Sequence, residues 1–179
     1  MSLFTITRRT FVTQTASGLV VVGTPLGLFA QTAPTTPAQT APAQPVPRRP
    51  DPLVPAMVNE FVRIAHADLA GTKALLAEQP GLLNATWDWG GGDFETGIGG
   101  AGHMGNREIA EFLIGQGARL DIFVASMLGR LDIVKALLSA WPGLIQSKGP
   151  HGISLIRHAR AGGDTAKPVA EYLASLGAA

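Results

Sequence analysis

The chain has 179 residues, 46% hydrophobic and only 15% charged, so one ordinary domain with attachments has ample apolar surface to bury. Its formal charge is +1, and setting aside Arg8 and Arg9 leaves 12 basic against 13 acidic residues, or −1, so neither nucleic acid nor anionic lipid is favoured as a partner. The absence of cysteine excludes disulfides, thiolate catalysis, thiolate metal ligands and a cysteine-linked lipid anchor.

Thr7, Arg8, Arg9, Thr10, Phe11 and Val12 precede a weakly apolar run from Ala16 to Ala30. A basic start, an apolar stretch and a small residue before a cut form a secretory signal. The paired arginines followed by Phe11 and Val12 resemble the twin-arginine export signal of bacteria. The resemblance implies a segment 1–30 cleaved after about Ala30, a protein that folds before crossing the inner membrane, and a periplasmic address. An uncleaved anchor is the competing reading, but the run is shorter than about 18 residues and Pro25 breaks it.

From residue 31 to 55 the composition turns to Thr, Ala, Gln and Pro, with prolines at 34, 37, 42, 45, 47, 50, 52 and 55. This stretch has no packable face and reads as an extended tether. The folded domain is expected over 56–179. Met57, Val58, Phe61, Val62, Ile64 and Ala65 stand at helical spacing and predict a first helix.

The centre of the chain repeats itself. Gly105 is followed by Ile109, Ala110, Phe112, Leu113 and Ile114, and Gly129 by Ile133, Val134, Ala136, Leu137 and Leu138, each a glycine turn opening an amphipathic helix. A second correspondence joins the stretch from Lys73 to Leu83 with that from Lys135 to Ile145. It aligns Leu75 and Leu76 with Leu137 and Leu138, and Pro80-Gly81-Leu82-Leu83 with Pro142-Gly143-Leu144-Ile145. The predicted core includes Ile109, Phe112, Leu113, Ile133, Val134, Leu137, Leu138, Val169 and Leu173.

These phrases resemble the ankyrin-repeat family. Thr96 to Gly105 and Gly152 to Gly163 occupy the frame of the family's first helix, with Ser154 in place of the threonine in the second. The resemblance implies an all-α solenoid of about four degenerate helix-pair repeats. The interval from Gly105 to Gly129 is 24 residues rather than about 33, so one β-hairpin finger is expected to be missing and the next helix to start at Asp121. It also implies protein–protein binding by a monomer, with no reaction, no cofactor, no nucleic acid and no membrane after signal cleavage.

Several motifs invite chemistry. Gly97, Gly99 and Gly102 match G-x-G-x-x-G, with Asp121 near the place of a ribose-binding acid, but no buried strand precedes them. The repeat frame reads them instead as small residues in a helix. His66, His103, His151 and His158 show no i, i+3 or i, i+4 pair, so no metal ligand is assigned; His66 and His103 are expected to bond loop backbone. No Gly-x-Ser-x-Gly elbow occurs. The oddest stretch is Trp87 to Glu95, where Trp87, Trp89 and Phe94 alternate with Asp88, Asp93 and Glu95 around three glycines. It can bind a partner or cap the stack, and its carboxylates can hold a cation or act in acid–base catalysis. The partner-binding candidates are therefore Trp87, Asp88, Trp89, Asp93, Phe94, Glu95, Arg119 and Arg157. Two other classes remain open: a small metal-binding or hydrolytic module on loop 87–95, and an escort exported with a folded cofactor enzyme.

Overall fold

The computed structural model describes residues 50–178, so the signal, its cleavage point and most of the tether lie outside the described residues. Helix α1 (Pro55–Ile64) starts inside the expected tether, with Pro55 at the first turn. Proline suits that position because its missing N–H is an orphan there in any case. Helix α2 (Leu69–Glu78) opens where the Asp68 carboxylate accepts from the Gly71 N–H, and a 3₁₀ turn over Pro80–Asn84 buries Leu82. Strands β1 (Thr86–Asp88) and β2 (Phe94–Thr96) pair antiparallel, with Trp87 opposite Glu95.

Helices α3 (Gly97–His103), α4 (Arg107–Gly115) and α5 (Ile122–Met127) are capped by Thr96, Asn106 and Asp121, each accepting an N–H three residues on. Asp121 is thus the cap before α5 rather than its first helical residue. Helices α6 (Leu131–Ala140), α7 (Leu155–Ala161) and α8 (Lys167–Ser175) complete the chain, with a second 3₁₀ turn at Pro142–Gln146 after α6. Gly105 and Gly129 sit at φ +73° and +74°, turning the chain from α3 into α4 and from α5 into α6. The residue after each returns an N–H to the helix just ended, Asn106 to Ala101 and Arg130 to Ala125. Such a helix stop suits glycine.

Helices α1, α3, α5 and α7 pack side by side in a row, and each also packs on the following even-numbered helix. Ile98, Ile109, Leu113 and Met127 belong to one buried cluster, and Val134, Leu155, Val169 and Leu173 to a second. Of the predicted core, Phe112, Ile133 and Leu137 are only half-buried. Phe112 lies under the Lys73 ammonium, 5.2 Å from its ring centroid, which places it at the edge of the core. Among the described residues, no strand stands between α4 and α5. The next segment able to form a finger is 148–154, held by a Lys148–Ser154 bridge, and its Pro150–Gly152 turn contacts α3.

Candidate metal centre

Each member of the site is delivered by a different local rule. His66 follows α1 and is tied to it, its Nδ1 lying 2.8 Å from the Val62 carbonyl oxygen. A carbonyl only accepts, so that nitrogen carries the proton and Nε2 presents a lone pair. Glu95 is the middle residue of β2; strand alternation turns it inward while Phe94 points to solvent at 60% exposure. His103 ends α3, where Gly100 lets His66 lie close: a Cβ at Gly100 would stand 2.7 Å from the His66 ring.

His151 arrives on the 148–154 segment, between α6 and α7. Its φ of 57° is in the left-handed region, uncommon for a residue with a Cβ. Asp93 holds it there twice, accepting the His151 backbone N–H at Oδ1 (2.8 Å) and facing ring Nδ1 with Oδ2 (2.7 Å). Nδ1 is again the protonated nitrogen, leaving Nε2 bare.

The three Nε2 atoms and the Glu95 carboxylate converge. His66 Nε2 lies 3.1 Å from His103 Nε2 and 3.4 Å from Glu95 Oε2. His103 Nε2 is 2.9 Å from Glu95 Oε1, and His151 Nε2 is 3.5 Å from Oε2. One ligand atom from each of the four residues falls within 4.8 Å of every other. Zinc–nitrogen and zinc–oxygen bonds near 2.0–2.1 Å imply a tetrahedron with edges of about 3.3–3.4 Å. Four of these separations, counted to both carboxylate oxygens, lie near that edge, and every pair falls within 4.8 Å, so the set can surround a divalent ion once its wider pairs draw inward.

The electrostatics point the same way. The Glu95 side chain is fully buried, and its Oε1 accepts no satisfied hydrogen bond although His103 Nε2 stands 2.9 Å away. A buried, unsatisfied carboxylate oxygen is costly and calls for a cation. Burial alone would raise the Glu95 carboxyl, but the closeness of His103, the Trp89 indole bond and the charge His66 and His103 can carry outweigh it, holding the pKa below the ordinary value. Trp89 donates its indole N–H to Oε2 at 2.7 Å and sets its ring near His66 and His151, covering the cluster while 39% exposed. The Asp93 carboxyl is also lowered, first by the His151 backbone bond.

The sequence candidates divide accordingly. Glu95 and Trp89 belong to the cluster and Asp93 supports it. Asp88 serves the hairpin, accepting from the Gly90 and Gly92 N–H groups. Trp87 packs against the first core cluster. Arg119 docks elsewhere, its backbone N–H on Asn84 Oδ1, and Arg157 lies on the exposed side of α7. Spacing concealed the histidines because the i, i+4 test sees one helix, whereas these come from three separate segments. His103 meets His66 and Glu95 side chains rather than loop backbone. A cue lay in the register: Asp93 stands three residues before the Thr96 cap and His151 three before Ser154, so they are equivalent fingertips.

The glycine motif is spoken for by packing. Gly97 to Gly102 lie buried in α3, where a Cβ at Gly97 would stand 2.8 Å from Phe61 and one at Gly102 3.0 Å from Val124. That is a helix contact face and not a phosphate cradle. No family model matches the chain, and no solved structure matches it. Among curated proteins, it is similar to the 4-hydroxythreonine-4-phosphate dehydrogenase of Aromatoleum aromaticum, 33% identical over 124 residues, covering 62% of this chain and 32% of that protein. The chain thus spans about a third of that relative's length.

Proposed function

We propose that this protein binds a divalent transition metal, zinc by the chemistry of its donors, through His66, Glu95, His103 and His151, and that the helical stack is the scaffold for that centre. The observation that carries the reading is the convergence of three imidazole Nε2 atoms on a fully buried carboxylate, with one ligand atom from each residue within 4.8 Å of the others. Three nitrogens and an oxygen suit zinc better than calcium or magnesium, which take oxygen shells. Four protein ligands fill a tetrahedron, which favours a structural or metal-holding role over catalysis at an open position. The row of helix pairs supports reading the scaffold as degenerate ankyrin-type units. The twin-arginine-like start supports export to the periplasm after folding, a route that lets the ion be chosen before the membrane is crossed.

Metal analysis of purified protein tests this. One zinc per chain is expected, and restoring zinc to chelated protein at about a hundredfold over Kd should raise Tm by roughly 10 °C. Less than a tenth of an equivalent, with no change in Tm, would falsify the reading. Protein recognition is a second reading, favoured by Phe94, which stands 60% exposed on the finger whose next residue is Glu95. If it holds, Phe94→Ala abolishes capture of a periplasmic partner while zinc content and Tm stay unchanged.

A further inference from the structure

One of the three histidines in this centre lacks a partner for its outer ring nitrogen among the described residues. Ligand histidines ordinarily pass their other N–H to a carboxylate or carbonyl, which fixes the ring and strengthens the metal bond. His66 has the Val62 carbonyl and His151 has Asp93. His103 has no counterpart: its Nδ1 bonds to no described residue, and it is not among the buried unsatisfied atoms, so it reaches solvent.

His103 is also one wall of a cavity of about 340 Å³, shared with Ile153, Arg157, Arg160 and Ala161. Neither guanidinium enters an ion pair among the described residues. Once a metal takes His103 Nε2 the ring proton stands on Nδ1, and two guanidinium cations lining the same cavity create an environment for an oxyanion, which the planar guanidinium fork recognises through paired bonds.

We propose that this cavity binds a small oxyanion, a carboxylate or a phosphate, which accepts the His103 Nδ1–H and is held by Arg157 and Arg160. The bound anion supplies from outside what Asp93 supplies to His151 from within, so metal and anion bind cooperatively. This rests on the reading of the four residues as a metal centre. Linkage makes the effect reciprocal: an anion that tightens zinc is itself tightened by zinc.

The test is zinc affinity, measured by competition with a chromogenic chelator, in chloride buffer and with millimolar acetate or inorganic phosphate at matched ionic strength. Wild-type affinity should rise about tenfold with at least one oxyanion, the lower end of what a hydrogen-bond partner behind a ligand histidine contributes. The double variant R157Q/R160Q should bind zinc at least as well in chloride, since two repelling cations are gone, yet lose the oxyanion effect. R119Q should retain it. A response to acetate alone assigns the cavity to carboxylates, and one to phosphate alone assigns it to phosphates. Stoichiometric zinc binding that neither anion alters, or an oxyanion effect that persists in the double variant, overturns this proposal and leaves the metal centre standing. Zinc binding in no buffer overturns both.

Discussion

The two copies of the helix, turn and finger unit, 69–103 and 131–161, agree on their outer side and part at their finger ends. On the outer side, Lys73 stands 5.2 Å over the Phe112 ring and Lys135 stands 5.2 Å over that of Tyr172. Leu76, Pro80 and Leu83 line a groove of about 500 Å³ in one copy, and Leu138, Pro142 and Ile145 line its equivalent of about 380 Å³ in the other. A groove that recurs with the repeat follows from how a helix meets its 3₁₀ turn, and it argues for no ligand. The finger ends carry what is unequal. The first has a paired hairpin with Trp89, Asp93 and Glu95, whereas the second is a single bridge contributing His151. The buried carboxylate and His151 therefore sit where the two copies differ.

That contrast can be broken by experiment. Glu95→Gln keeps the shape but removes the anion, so zinc affinity should fall on the order of a thousandfold, beyond the roughly ten- to hundredfold lost with a group that only orients a ligand; calorimetric titration measures it, and an unchanged Kd would remove Glu95 from the ligand set. Leu82→Ala should cost about 3 kcal/mol because Leu82 is fully buried. Its counterpart Leu144 is half-buried, so Leu144→Ala should cost about 1 kcal/mol in urea denaturation. Equal costs would mean the copies are packed alike.

Asp93→Asn should weaken zinc about tenfold with little change in metal-free Tm, because it loosens His151 without touching the core. A pH series probes the second copy. Burial holds the His158 pKa below its ordinary value, so the fold favours its neutral form. That contribution is fully present above about pH 6.5 and is lost as pH falls through the lower folded value. His158→Asn, compared with wild type in chelator, should flatten the stability loss between neutral pH and pH 5; parallel curves would refute the assignment. The smallest effects belong to the shared side, where Lys73→Ala and Lys135→Ala should each cost about 0.5 kcal/mol, and equally.

The helices were legible because apolar spacing and turn glycines are local. Ile109, Leu113, Val134 and Leu138 could be read as inward-facing from their periodicity, and Gly105 and Gly129 as turns from their position. Phe112 packs against the core from its edge, where its ring also faces the Lys73 ammonium, so periodicity placed it on the right face but too deep. The loop from Trp87 to Glu95 stood out by composition, but composition could not separate Asp88, which serves its own turn, from Glu95, which serves the cluster.

By itself the order of residues determined where the chain turns, which helical faces are oily and which segments duplicate one another, since each depends on neighbours within a few positions. Only the tertiary structure decided that His66, Glu95, His103 and His151 are one constellation. With no finger between α4 and α5, the 148–154 segment reaches the 86–96 hairpin, and Asp93 draws His151 onto a carboxylate buried 56 residues earlier in the chain. Proximity of that kind is made by the stacking of helices, and no spacing rule along the chain encodes it.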